Sequence, residues 1–205
     1  MADILDILTE DEALDAINMR QDNSDHLAEV AQQVTAVSRM IDAACGPVVQ
    51  RTVTAEIHEG GVPVVFLQAP VVSVSLVRYA SGGTITTYDP VEFGDTGDGY
   101  GIDLPSGRLY RRFGSSTGAW SAGQVEATYV AGRFATTETV DARFKTCAAS
   151  VLRRLWKREA GTWAQSADFY ESLDVQTSSL SGFFRVAKPI IDEMLWDELV
   201  LPGIA

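Results

Sequence analysis

Residues 25–57 read DHLAEVAQQVTAVSRMIDAACGPVVQRTVTAEI, and the hydrophobic period changes inside this stretch. Up to Cys45 the apolar residues Leu27, Val30, Ala31, Val34, Val37, Ile41 and Ala44 recur at steps of three and four, the spacing of one helix face. Gly46 supplies a C-terminal stop and Pro47 cannot continue a helix. Beyond it Thr52-Val53-Thr54-Ala55-Glu56-Ile57 alternates and is dominated by β-branched residues, which marks a strand. A helix of this length with one apolar face needs something to pack against, and the strand that follows announces a mixed fold.

On the N-terminal side, Thr9-Glu10-Asp11-Glu12 forms a capping box, with Thr9 as N-cap and Glu12 three residues on. Leu8, Ala13, Leu14 and Ile17 supply a short apolar stripe, and Gln21-Asp22-Asn23-Ser24 breaks it. On the C-terminal side the period of two persists to about residue 132. Gly60-Gly61 turns the chain, Val64-Val65-Phe66-Leu67 reads as a buried strand, and Val72-Ser73-Val74-Ser75-Leu76-Val77 alternates after Pro70. Ser81-Gly82-Gly83 marks a hairpin before Thr84-Ile85-Thr86-Thr87-Tyr88. Gly94–Gly101, with four glycines and two aspartates, reads as a mobile loop. Arg108-Leu109-Tyr110 and Gln124–Val130 read as the last two strands.

Helical spacing returns after Gly132 in Val140, Phe144, Cys147, Ala148, Val151, Leu155 and Trp156. Arg153, Arg154, Lys157 and Arg158 crowd the final turns, where cations oppose the negative end of the helix dipole. Residues 172–182 are rich in serine and threonine and read as an extended linker. Phe183 and Phe184 follow, then Pro189 opens a short helix carrying Ile190, Ile191, Met194, Leu195, Trp196 and Leu199. An apolar helix behind a spacer suits docking on a partner, the alternative being that it folds back on its own domain. The expected fold is therefore α+β. Helices at 9–18, 25–45 and 138–160 pack around a small antiparallel sheet (48–132) in a core domain spanning 1–161, and 162–205 form an extended tail with a short terminal helix.

The chain has 205 residues and a net charge of −12, unevenly placed. Residues 103–160 carry ten basic side chains against five acidic ones, which makes that region net positive and leaves the remainder strongly acidic. Such asymmetry suits a subunit that meets an oppositely charged face of its neighbour, or simply two differently solvated surfaces. An acidic chain does not seek nucleic acid by counterion release, which argues against sequence-specific DNA binding. No apolar run reaches the length of a membrane span, and the acidic start lacks the basic region of a signal peptide, so the chain is expected to stay in the cytosol that makes it.

Catalytic constellations are scarce. The sequence contains no GxGxxG after a strand and no GxxxxGK[ST]. Gly97-Asp98-Gly99-Tyr100-Gly101 precedes no helix and carries no lysine, unlike a phosphate loop. His26 reads as a solvated residue at a helix start, and His58 as a turn residue beside Gly60-Gly61. Cys45 and Cys147 read as small buried side chains, and neither CxxC nor HxxxH spacing exists for zinc. The adjacent acidic pairs Asp11-Glu12 and Asp192-Glu193 read as solvated helix surface. No catalytic, metal or cofactor-binding residue is assigned, and the chain is expected not to be an enzyme.

The order of elements resembles the head–tail connector (adaptor) family of tailed bacteriophages, and four segments make the likeness more specific. Cys45-Gly46-Pro47-Val48-Val49-Gln50-Arg51-Thr52-Val53 is similar to the family's helix, glycine, and apolar-basic-threonine strand. Leu67–Val77 resembles its leucine, proline-valine, serine-valine strand, followed by a glycine hairpin and a tyrosine, here Tyr88. Val125-Glu126-Ala127-Thr128-Tyr129-Val130-Ala131-Gly132 resembles its last strand, and Trp156, Lys157 and Arg158 its tryptophan and basic helix end. Together these span about 25–160. The glycine-rich stretch at 94–101 and the tail beyond Thr162 are longer than the family's minimal form.

The resemblance implies a structural virion protein of the neck, made in the host cytoplasm. It implies a ring, usually of twelve copies, that binds the portal protein at the unique capsid vertex, extends the DNA channel and offers a platform for the next neck protein or tail. Double-stranded DNA would pass through without sequence-specific binding. On this reading the portal contact is expected on Phe183, Phe184, Ile190, Ile191, Met194, Leu195, Trp196 and Leu199, and contact between subunits on Arg153, Arg154, Lys157 and Arg158. Competing readings are another neck component (stopper or tail terminator), whose members read as predominantly β, and a soluble enzyme or ligand-binding module with a non-contiguous pocket. A DNA-binding packaging factor is disfavoured by the acidic balance.

Overall fold

The computed structural model describes residues 5–19, 26–92, 95–160 and 187–199, with side chains omitted at 157–160. The fold is α+β, and the chain divides into two compact units, one of residues 1–49 with 134–205 and the other of residues 50–133. Phe183, Phe184 and the linker expected at 172–182 lie outside the described residues.

The first unit is helical, with α1 (Glu10–Ile17), α2 (Leu27–Cys45), α3 (Ala142–Ala160) and a short helix, α4, over 187–194. The capping box forms as read: the Thr9 amide donates to Glu12 Oε2 at 2.9 Å and the Glu12 amide donates to Thr9 Oγ1 at 3.3 Å. Asn18 closes α1 in the left-handed conformation, which asparagine tolerates better than most residues. The α2 face predicted from spacing is buried at Val30, Val34, Val37 and Ile41, where it meets Ile7 and Leu14 together with Phe144, Cys147, Val151 and Leu155 of α3. Asp42 Oδ1 accepts the Val48 amide at 2.9 Å, so a side chain from the last turn of α2 fixes the chain as it leaves through Gly46. Asp6 is buried, and its charge is met by Thr35 Oγ1, which donates to Oδ2 at 2.9 Å.

The second unit is built of two antiparallel sheets. One has the order β1 (Arg51–Glu59), β8 (Gln124–Ala131), β3 (Val71–Ser81), β4 (Thr84–Tyr88); the other runs β2 (Val64–Phe66), β6 (Arg108–Phe113), β5 (Asp98–Asp103), with β7 (Ser116–Gly118) paired to β6. The β3–β4 hairpin closes through Gly82 and Gly83, both at positive φ, as a two-residue turn requires. Strand β8 alternates cleanly: Val125, Ala127, Tyr129 and Ala131 are all buried in the core. Val65, Leu109 and Tyr100 contribute to the same core from the second sheet. Trp120 ties the two sheets together, donating Nε1–H to the Leu109 carbonyl at 3.3 Å and meeting Tyr88 edge-on at 5.9 Å.

Three local readings are corrected. The alternation in β1 is interrupted by a bulge at Ala55, which has φ 52° and donates its amide to Thr128 Oγ1. One extra residue reverses the face of everything after it. Val53 therefore points in, but beyond the bulge Glu56 and His58 do so and Ile57 is 59% exposed. Strand β2 is buried on one side only, since Val65 faces the core while Phe66 lies outside beneath the Arg108 guanidinium, 5.8 Å from its ring centroid.

The third correction concerns the glycine-rich stretch, whose second half is strand β5 and not a loop; Gly94 lies outside the described residues. A Cβ on Gly101 would fall 2.4 Å from the Tyr110 ring, and one on Gly99 within 2.4 Å of Val91 Cγ2. These glycines exist for close approach of neighbours, not for motion. The edge of β5 is in turn covered by residues 89–91, with the Tyr100 amide donating to the Asp89 carbonyl at 3.0 Å and the Val91 amide to the Tyr100 carbonyl at 2.8 Å.

Candidate interaction surfaces

The terminal segment 187–199 packs on the helices of its own unit. An amphipathic helix in water must cover its apolar stripe, and a core in the same chain can do so without the translational cost of recruiting a partner. Ala187, Ile191 and Leu195, one turn apart, are buried among the helices, and Ile190, Met194 and Leu199 are partly covered. Ile191 and Leu195, expected at a partner surface, are thus part of an internal core. Trp196 is the exception at 73% exposed.

The turn that carries Trp196 is held by Arg143 at the start of α3. Its guanidinium reaches both Asp197 carboxylate oxygens, at 2.7 and 3.2 Å, and Glu198 lies at 3.6 Å. The bond from Arg143 draws the Asp197 carboxyl below its ordinary value against the opposing effect of burial. Two-point contact fixes orientation as well as charge, so the indole is presented on a braced turn. Nothing local in the sequence signals this pair, whose members are 54 positions apart.

Of the four cations expected to meet a neighbour, Arg153 is partly engaged within its own unit, where Nε donates to the Ala16 carbonyl in the last turn of α1 at 2.8 Å. A cation there opposes the helix dipole. Arg154 is exposed and makes no ion pair among the described residues, while the side chains of Lys157 and Arg158 are outside them. Earlier on α3, Lys145 Nζ lies 2.6 Å from Glu12 Oε1. Partial burial raises the Glu12 pKa, but the bonds from Lys145 and Thr9 outweigh it and the net shift is downward. Glu12, read as solvated surface, therefore joins α1 to α3.

In the second unit the arginines of β6 lie among aromatic rings. Arg111 sits 4.8 Å from the Tyr88 centroid and 4.4 Å from that of Phe113, and buried Arg112 donates to the Val91 carbonyl at 3.1 Å. These contacts tie β6 to Tyr88 of β4 in the other sheet and to the segment that covers the β5 edge.

The nearest approach to a catalytic grouping is on β1 and β8. The Tyr129 hydroxyl donates to Glu56 Oε2 and accepts the Gln68 amide at 3.0 Å, and His58 Nε2 lies 3.5 Å from the same carboxylate oxygen. Burial, reinforced by the Glu56 carboxylate, pushes the Tyr129 phenol well above its ordinary pKa, so it stays protonated as a donor. The cluster contains no nucleophile: it pairs Tyr129 with Glu56, which the Ala55 bulge turned inward, while His58 Nε2 makes no hydrogen bond among the described residues. Burial likewise pushes the Cys147 thiol up to about 12, with Cys45 nearby adding to the shift, and both cysteines are free and buried. Among the described residues no group of three His, Cys, Asp or Glu side chains could hold a metal ion, and no helix is long and apolar enough to cross a membrane.

No protein-family model matches the chain. No curated protein matches it either. Six chains of solved structures are similar. Among them is a chain from the neck of an empty gene transfer agent (GTA) particle computed with C6 symmetry. That chain is 16% identical, with a TM-score of 0.51 over 74% of this chain and 78% of its own length. At this identity the likeness is one of fold.

Proposed function

We propose that this chain is a structural subunit of the neck of a tailed-phage-like particle, a head–tail connector that assembles as a ring beneath the portal. The observation that carries this reading is the fold shared, over about three quarters of both chains, with a component of a particle neck. The sequence segments that resemble connectors add independent support, because they fall on the α2–β1 junction, β3, β8 and α3, the elements that define the architecture. A ring of twelve contains a six-fold axis and so accords with the symmetry of that neck.

The acidic balance suits the role. A channel lined with carboxylates repels DNA phosphates, so that a duplex slides past without being held. Asp11 and Asp15, exposed on α1, are of the kind such a lining needs. With Ile191 and Leu195 occupied internally, the proposed portal contact rests on Phe183 and Phe184 with the partly covered Ile190, Met194 and Leu199, and contact between subunits on the basic end of α3.

The test is binding to purified portal from the same genome, by co-sedimentation followed by negative-stain imaging. A ring appended to the narrow end of the portal is the expected result. Absence of association across salt and pH would overturn the connector role and move the chain to another neck position or out of the particle.

A further inference from the structure

Trp196, on the turn after α4, and Arg154, in the later part of α3, are both exposed side chains of the first unit. Trp196 is carried on the turn clamped by Arg143 in the first turn of α3, and Arg154 lies eleven residues further along the same helix, about 16 Å at 1.5 Å per residue. Near Trp196 in sequence, Glu193 is exposed, while Asp192 is paired with Lys188 and Asp197 and Glu198 with Arg143. Arg153 and Arg154, both exposed, lie in the later turns of α3.

We infer that Trp196 is the anchor of a head-to-tail contact with a second copy of this chain, stacking on the Arg154 guanidinium of that neighbour while Glu193 faces its basic helix end. The inference rests on the proposed ring and names the residues that would close it. Each subunit carries an exposed indole beside exposed Glu193 and, eleven residues along α3 from the Arg143 clamp, an exposed Arg154 with no ion pair among the described residues. Such a surface is heterologous, and heterologous contacts close into rings when the rotation permits. Tryptophan and arginine are the residues most enriched where truncation costs an interface most, and an indole over a guanidinium adds a cation–π attraction. Lying 73% exposed, Trp196 contributes little to its own fold, and the Arg143 fork orders its turn in advance of assembly.

The experiment uses full-length chain and purified portal, with native mass spectrometry counting subunits per portal. Wild type should fill a ring. Trp196→Ala and Arg154→Glu should each keep the wild-type melting temperature yet require at least about thirtyfold more protein to fill it, the loss a hot-spot truncation gives. An equimolar mixture of the two variants retains one intact contact per pair, so bound pairs should outnumber single subunits. Ring filling by Trp196→Ala at the wild-type concentration would overturn the inference and leave the neck reading intact. A mixture that behaves like either variant alone would also overturn it, because the two residues would then not face each other. Failure of wild type to bind portal at all would sink both.

Discussion

Replacing Leu195 with alanine should detach the terminal segment while leaving the other helices folded. Leu195 has no exposed surface, so the substitution loses buried methyl groups and leaves a void among α-helical side chains. Buried leucine-to-alanine changes cost about 2–5 kcal/mol. The other attachments of the segment are Ile191, small Ala187, the partly covered Ile190, Met194 and Leu199, and the exposed Arg143–Asp197 pair, which salt screens. Helices α1, α2 and α3 keep the rest of their core whether or not the segment is docked, so opening need not spread to them. Hydrogen exchange reads this directly through the Leu195 amide, which donates to the Ile191 carbonyl, and the Glu198 amide, which donates to the Leu195 carbonyl. Their protection should fall by about thirtyfold or more, the smaller end of that cost at 1.4 kcal/mol per factor of ten. Amides of α2 should stay protected, and Trp196→Ala should leave all of them unchanged. Equal loss of protection across α1, α2 and α3 would refute the local opening, and unchanged protection at Leu195 would refute the docking itself.

Two further outcomes follow from individual groups. The folded-state pKa of Glu12 lies below its ordinary value of 4.5, so its contribution to stability is full above that value and is lost as pH falls through the lowered one; Glu12→Gln should flatten that acid limb of a pH–melting curve. Gly99→Ala would drive a Cβ to 2.2 Å from the Asp89 carbonyl oxygen and should cost about 1–3 kcal/mol in urea unfolding, whereas Gly97→Ala, with nothing within 4 Å, should cost far less.

The helices were legible because their signals are local. Capping box, apolar spacing and the Gly46-Pro47 stop each operate within a few residues, and α1 and α2 begin and end within two residues of the expected bounds. The Gly82-Gly83 hairpin was legible for the same reason. What escaped the sequence depends on partners far along the chain. The bulge at Ala55 is accommodated by Thr128 across the sheet, and without that knowledge Ile57 reads as a core residue and Glu56 as a surface one. Gly99 and Gly101 read as flexible because glycine is permissive, while their actual use is set by Asp89, Val91 and Tyr110. The ion pairs that organise the candidate surface join residues 54 and 133 positions apart. The apolar stripe at 187–199 was recognised as a docking face, but a stripe does not say whose surface it docks on.

That last point links the two kinds of surface. If Trp196 anchors a neighbouring copy, burying Ile191 and Leu195 internally is what makes a single exposed indole effective. A free segment would have to be ordered at the moment of contact, at about 1–2 kcal/mol per residue of backbone entropy, and most of the gain from one tryptophan would be consumed. A segment already docked by its apolar stripe and clamped by Arg143 has met that cost during folding. Leu195→Ala should therefore weaken ring filling on the portal although Leu195 is wholly buried in its own subunit. The loss should be one of entropy: tethering the segment back, for instance by a disulfide engineered between α4 and α3, should restore assembly without replacing the leucine. Assembly by Leu195→Ala at the wild-type concentration would mean that Trp196 does not depend on its docked platform.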